Sequence, residues 1–404
     1  MTPWLLGCSS GSSSSPWRPW LLYTSSGPRS SSPEAVVKLL CVIDHFGSGG
    51  AQRQMTNLAC GLATRGHQVE LFLYHPRHDF FLPAITAAGL TVHVADREQL
   101  GAARVTWRLA RLVRQGQFDG VIAFLGAPSA CAELARLAAP RTRLVVSERS
   151  SHEGDGPRLT AWGKRLLHGF ADVVVANSHA HAAWLTRHRW LRHKTLTIYN
   201  GYELGPEPLP PPPPTAGKLS LLVVGRVGPE KNGVNLARGL AAFRERRGWV
   251  PRVSWAGRPD QTSGGQAHRE EIEAVLRSHP EVQTAWHWLG ERSDVPALLA
   301  GHHALVLPSH YEGLPNAVCE AFIAARPVVA SRIGDLPRLV AEPERGFLFD
   351  PGSPAEIATA LERLADLPPA AWESIARNAR SWAGANLQLG TMVEAYERAL
   401  MAPS

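Results

Sequence analysis

Short runs of consecutive apolar residues, each followed by a segment with helical period, recur through most of this chain. The first run is Val36-Val37-Lys38-Leu39-Leu40-Cys41-Val42-Ile43. It leads into the glycine cluster Gly47-Ser48-Gly49-Gly50, and a helical pattern then extends from 51 to about 63. Strand, glycine-rich turn and helix in that order open a parallel α/β domain. Further apolar runs fall at 69–74, 91–94, 120–125, 144–146, 173–176 and 197–199, with helical segments between them. Alternation of strand and helix of this kind argues for a doubly wound parallel sheet.

The pattern stops at Pro206, Pro208 and the run 210–214, which is all proline. Such a segment is a stiff, extended spacer. After it the same grammar restarts. A strand at 219–224 leads through a Gly/Lys turn to a helix over 234–247, and later strands are predicted at 252–256, 284–289, 304–307, 327–330 and 346–349. The closing stretch, 370–400, reads as helical and is placed back across the domain boundary. The predicted fold class is therefore α/β, with two Rossmann-like, doubly wound parallel-sheet domains. The predicted division is a Ser/Pro-rich tail over 1–35, a first domain over 36–205, a linker over 206–217, a second domain over 218–370 and C-terminal helices over 371–404.

Composition adds limits rather than detail. At 404 residues with 44% apolar content, both domains can bury a core. The tail over 1–35 has no acidic residue before Glu34 and too few apolar residues to repay its own ordering, so it is predicted to be floppy. The 42 basic against 35 acidic residues give a net charge of +7, which favours anionic partners such as nucleotide phosphates or acidic lipid headgroups. An Arg-rich background without a functional meaning accounts for it equally well. The five cysteines are scattered and contain no C-x-x-C pair, which argues against a disulfide framework or zinc site and for a reducing compartment. No apolar run is long enough to span a bilayer. A cytoplasmic location is expected, and no feature points to nucleic acid.

The sharpest chemical signal is Tyr311-Glu312-Gly313-Leu314-Pro315-Asn316-Ala317-Val318-Cys319-Glu320-Ala321. It follows the predicted strand at 304–307, so it lies at the carboxyl edge of a parallel sheet, where ligands bind. Pro315 suits the first turn of a helix, which leaves Gly313 and Leu314 just ahead of it, where free N–H groups and the dipole favour a phosphate. Glu312 in the turn and Glu320 inside the helix are separated enough to address different parts of one ligand. Carboxylates accept hydrogen bonds from hydroxyl pairs, so ribose and sugar hydroxyls suit them.

A second group is Gly225-Arg226-Val227-Gly228-Pro229-Glu230-Lys231-Asn232, directly after the first strand of the second domain. Arg226 and Lys231 supply two positive charges on one loop, as a departing diphosphate requires. The Gly47–Gly50 turn resembles a dinucleotide fingerprint only superficially, because Gln52 stands at the third glycine position and no acid ends the second strand. It suits close approach of a ligand to the backbone. Ser147-Glu148-Arg149-Ser150 lies at another carboxyl edge, where Glu148 and Arg149 either face the cleft, touching donor sugar or acceptor, or form an internal salt bridge. No D-x-D sequence occurs and no His/Cys/Asp cluster has ligand spacing, so no metal is expected. Many of the 17 histidines are isolated and expected on the surface, with His45 beside the glycine turn the one site candidate.

Four of these stretches resemble the retaining glycosyltransferases of family 4: Gly49–Gln52, Asn200-Gly201, Gly225-Arg226 with Glu230-Lys231-Asn232, and the Glu-x7-Glu string. The resemblance extends from about residue 37 to 364. It implies the GT-B fold, in which two such domains face each other across a cleft, and transfer of a hexose or N-acetylhexosamine from a UDP- or GDP-sugar with retention and without metal or other cofactor. By position it implies that Arg226 and Lys231 bind the donor pyrophosphate and that Glu312 contacts the transferred sugar. It further implies Gly313 and Leu314 on the phosphate, Glu320 on the ribose, and Gly49 and Gly50 closing from the first domain. Some members carry a cleft histidine near the fourth strand; Phe124-Leu125-Gly126 stands there in this chain. Ser147-Glu148-Arg149 looks like the version in members that build oligosaccharides on lipid carriers. A saccharide or lipid-linked acceptor follows, with peripheral docking to the inner face of an anionic membrane through 158–170 and 184–194, which mix basic residues with Trp162, Phe170, Trp184 and Trp190. The competing readings are a hydrolase using Glu312 and Glu320, a nucleotide-sugar epimerase and a non-catalytic nucleotide-sugar-binding protein.

Overall fold

The computed structural model describes residues 36–401 apart from 48, 77, 150–162, 164, 216 and 261–262, so the predicted tail over 1–35 and Trp162 lie outside the described residues. Seven parallel strands make the first sheet: β1 (Lys38–Ile43), β2 (Gln68–Leu73), β3 (Thr91–Val94), β4 (Gly120–Phe124), β5 (Arg143–Glu148), β6 (Val173–Ala176) and β7 (Thr195–Thr197). Their order is β3-β2-β1-β4-β5-β6-β7. Six make the second: β8 (Ser220–Val224), β9 (Arg252–Ala256), β10 (Trp286–Gly290), β11 (Ala304–Leu307), β12 (Val328–Ser331) and β13 (Gly346–Phe349). Their order, β10-β9-β8-β11-β12-β13, repeats the doubly wound plan.

In each sheet the strand order reverses once, between β1 and β4 and again between β8 and β11. A crevice opens at the carboxyl ends of such a pair because the helices that follow leave to opposite faces. Burial on both faces explains the continuous apolar runs: β4, β6, β11, β12 and β13 are buried at every position. Each sheet accordingly has two apolar layers, with Leu39, Cys41 and Ile43 in one and Leu40 and Val42 in the other for β1.

Two local expectations are corrected. The strand expected at 284–289 is present as β10 but starts two residues later, because residues 284 and 285 close the helix Pro280–Ala285. A proline at the first helical position is a start signal, and it outweighs the apolar content of the next few residues. Pro315 is not the first helical residue but the residue that caps the helix Asn316–Ile323.

The chain returns to the first sheet at its end. The helix Pro369–Asn386 packs on the second domain through Ala379 and Ala383. The next helix, Leu389–Met401, places Met392, Val393, Tyr396 and Leu400 in the core beneath the first sheet. Between them Leu389 N–H donates to Tyr202 O at 2.9 Å, and Tyr202 N–H to Leu387 O at 2.8 Å. The two crossings of the chain are thus tied side by side.

Candidate active site

The residues singled out in the sequence lie at the carboxyl ends of strands and on the loops and helix starts that follow them, most of them at the two reversal points. Gly49, in extended conformation, caps the helix Gly50–Thr64 that follows β1. A Cβ on Gly50 would lie 2.2 Å from Asn316 Nδ2, at the start of the helix that follows β11. Glycine leaves room there for the Asn316 amide, which Asn200 and Tyr202 hold in place where the two helix starts meet across the cleft.

On the second domain, Lys231 and Glu312 come together. Lys231 Nζ lies 2.5 Å from Glu312 Oε1, and Ser309 Oγ donates to the same oxygen at 2.7 Å. Both charged side chains are mostly buried, 19% and 13% exposed, so the pair is geometrically fixed. Arg226 differs: its side chain is 60% exposed and is held by Asp260 at 2.9 Å and Glu230 at 3.7 Å. The loop can form because β8 and β9 end in glycines, where a Cβ on Gly257 would overlap Gly225 O at 1.8 Å.

Gly313 and Leu314 sit ahead of the helix Asn316–Ile323, and a Cβ on Gly313 would come within 3.0 Å of Arg149 O from the first domain. Glu320, one turn after Asn316, reaches the same cleft and accepts from Arg53 Nη1 at 2.6 Å. Burial pushes its carboxyl above the usual range, and the Arg53 guanidinium opposes that shift. The cleft is further tied by Asn200 Nδ2 donating to Asn316 Oδ1 at 2.5 Å and by Tyr202 OH donating to the same oxygen at 2.7 Å. At its far side Asp335 accepts from His179 N–H at 3.0 Å and Ala180 N–H at 2.8 Å, capping a first-domain helix from the second domain.

Glu148 and Arg149 do not pair with each other. Consecutive residues at a strand end point to opposite faces, and the two part accordingly. Arg149 turns toward the cleft, hydrogen-bonded to Asn200 Oδ1 and Ser147 Oγ and stacked over Phe124 at 4.3 Å. Glu148 turns inward to His168 Nε2 at 3.0 Å and His181 Nε2 at 3.7 Å, while His168 Nδ1 meets Glu133 at 2.5 Å. Burial opposes ionisation of Glu148, yet the two histidines hold its carboxyl well below the usual range. Burial likewise opposes protonation of His168, and its two carboxylates override that and raise it to about 9.

Four histidines depart from the expected surface position. His67, His168, His181 and His268 are buried, and all but His268 have a near-buried carboxylate partner. His45 does flank the glycine turn, where its Nδ1 accepts from Gly47 N–H at 2.8 Å. Burial lowers its pKa from the ordinary histidine value, with Asp44 opposing. Among the described residues no group of His, Cys, Asp and Glu has the arrangement to hold a metal. No helix among them is long and apolar enough to cross a membrane. On the first domain Leu166, Phe170 and Trp190 are exposed, while Trp184 lies under Arg165 at 4.1 Å.

Two facing Rossmann-like domains, tied through loops at their carboxyl edges, define the class: this is a GT-B protein. The structure superposes on Anabaena Alr3699/HepE, solved in complex with UDP and glucose, with a TM-score of 0.76 at 20% identity over 91% of this chain and 100% of that one. Sucrose-phosphate synthase from Thermosynechococcus elongatus gives 0.72 at 18% over 90% and 98%. The model for "Glycosyltransferase Family 4" matches residues 48–205, and that for "Glycosyl transferases group 1" matches 218–366. Together these take in more than half of the chain, which belongs to the group 1, family 4 glycosyltransferases. Curated relatives include glycogen synthase of Mycobacterium tuberculosis, 32% identical over 185 residues (45% of this chain, 42% of that protein). D-inositol 3-phosphate glycosyltransferase of Streptomyces avermitilis is 28% identical over 254 residues, 57% of this chain and 52% of that protein. The chain thus matches about half the length of these relatives or less.

Sequence reasoning missed Arg53, Asp335 and the Glu133–His168–Glu148–His181 cluster. Arg53 sits within the helical pattern after the glycine turn, but its partner is 267 positions away, and no local signal marks it.

Proposed function

We propose that this protein transfers a hexose or N-acetylhexosamine from a nucleotide-sugar donor to a saccharide or lipid-linked saccharide, with retention and without a metal. The observation that carries this reading is the placement of Lys231, Glu312 and Glu320 around one helix start. A diphosphate at the N–H groups of Gly313 and Leu314 has Lys231 beside it, and Arg226 waits on the same loop in solvent. Glu312 then lies toward the sugar and Glu320 toward the ribose. Fixed cations and backbone N–H groups stabilise negative charge as it develops on the leaving diphosphate, which is the work a divalent metal does elsewhere. Glu312 and Glu320 are each engaged by a different cation, Lys231 and Arg53, which suits two carboxylates that address separate parts of one ligand rather than act together on one bond as a hydrolase pair does. The geometry names no general base.

The test is a panel of UDP-, GDP- and ADP-sugars, with and without saccharide acceptors, in buffer containing EDTA. The expected result is acceptor-dependent release of nucleoside diphosphate from at least one donor, with an α-linked product from an α-linked donor. Release of free sugar alone would favour hydrolysis or epimerisation, and no turnover of any donor by folded protein would leave a binding protein.

Docking to an anionic membrane belongs to the same proposal. Leu166, Phe170 and Trp190 are exposed beside a basic segment on the first domain, an arrangement suited to an interface. Co-sedimentation with phosphatidylglycerol vesicles at low salt should fall when Phe170 and Trp190 are both changed to Ser; equal sedimentation of the variant would exclude this face.

A further inference from the structure

Two helix starts face each other across the cleft in two rungs. In the first rung Gly50, by lacking a Cβ, admits Asn316. One turn further along each helix, Arg53 meets Glu320 at 2.6 Å, with the carboxylate side chain 15% exposed and the guanidinium 44%. The spacing is set by the helices themselves, since residues three or four apart share a face. Closure of the first rung therefore brings Arg53 onto Glu320. Glu320 is not simply an acid of the second domain, because its charged partner comes from the first.

We propose that Arg53 is a positioning residue for the donor: it fixes the Glu320 carboxylate so that reading of the ribose hydroxyls is completed only with the first domain in place. The inference rests on the donor reading above, in which Glu320 takes the ribose. An ionised carboxylate offers about four lone-pair sites. Arg53 occupies one on Oε1, which leaves Oε2 and the remaining lone pair for two hydroxyls. A protonated carboxyl has lost an acceptor site and gained a donor, so it matches a hydroxyl pair less well.

Burial works against ionisation of Glu320 and the Arg53 charge works for it. The other titratable groups that act on this carboxylate, Tyr202 and Cys319, are pushed up by their own burial and stay neutral near pH 7. Arg53 is thus the one cation acting on Glu320 among the described groups, and ribose affinity in its absence should decline more steeply as pH falls.

Calorimetric titration with UDP and 2′-deoxy-UDP, or the GDP pair if the protein prefers guanine, separates this role from a structural one. Wild type should prefer UDP over 2′-deoxy-UDP by about tenfold, the scale of a hydrogen bond to a charged group. Arg53→Ala should weaken UDP by about tenfold and narrow the preference to about threefold or less. Arg53→Lys should recover part of both, and Arg53→Gln keeps the ratio measurable if the alanine variant binds too weakly. A preference ratio unchanged from wild type in Arg53→Ala or Arg53→Gln would overturn the role of Arg53, whatever happens to overall affinity. Wild type that binds neither nucleotide, or binds ribose and deoxyribose forms equally, removes the ribose reading of Glu320 itself and Arg53's role with it.

Discussion

Lys231→Ala should lower the turnover of donor by about 10²–10³-fold while changing donor KM much less. The reason lies in where its charge sits. Lys231 is mostly buried and is held against Glu312 at 2.5 Å, with Ser309 hydrogen-bonded to the same carboxylate oxygen. A cation fixed beside the leaving diphosphate gains most when the glycosidic bond is breaking, because negative charge grows on the phosphate at that moment. Binding of the already charged ground state benefits less, and the loss appears in kcat. Alanine also leaves the Glu312 carboxylate without its cation, and its repulsion grows as negative charge builds on a departing diphosphate. Arg226→Ala should be milder, since a side chain 60% exposed acts through screening solvent. Initial rates of nucleoside diphosphate release at saturating donor distinguish the two. A Lys231→Ala enzyme with unchanged kcat and raised KM would mean that Lys231 only anchors the donor.

His168→Ala should destabilise the protein by about 3–5 kcal/mol in urea unfolding at pH 7. The imidazole lies between Glu133 at 2.5 Å and Glu148 at 3.0 Å, and its side chain is 2% exposed. Its removal leaves two buried carboxylates facing each other without their shared cation, the costly half of a broken ion pair. The pH dependence follows from the sign of the shifts. His168 is raised to about 9, so its stabilisation is complete below its unfolded value near 6.5 and is lost as pH rises through about 9. Glu148 is held low, so its contribution is complete above the ordinary carboxylate range and is lost as pH falls below it. Wild type and His168→Ala should therefore differ most near neutral pH and converge above pH 9. A difference that stays constant from pH 7 to 10 would show that His168 contributes by packing rather than by charge.

The two domains were legible in the sequence because parallel strands buried on both faces leave unbroken apolar runs, and each is punctuated by a glycine or proline turn. β8, with the Gly225 turn after it, is the clearest instance. Edges and junctions were not. β7 is short and half-polar, Thr195-Leu196-Thr197, and it pairs with one neighbour only, so little apolar content marks it. The strand expected at 284–289 was legible from its apolar run, but its start was not, since the two residues before Trp286 belong to the preceding helix. Within the site, residues near one another in sequence, such as Glu312 with Gly313 and Leu314, could be placed from local rules. Pairs that form only when the domains meet could not. Arg53 with Glu320 and Asp335 with the helix starting at His179 each join residues more than a hundred positions apart. The Glu148–Arg149 dipeptide shows the converse, since adjacency in sequence suggested a pair and the strand pleat separated them.

The donor clamp is the central claim, and a crystal structure of the protein with bound UDP tests it most directly. Ribose hydroxyls should lie within hydrogen-bond distance of Glu320, diphosphate oxygens on the N–H groups of Gly313 and Leu314, and Lys231 Nζ within reach of the terminal phosphate. A diphosphate bound away from the start of the helix Asn316–Ile323, or a ribose with no contact to Glu320, would contradict it.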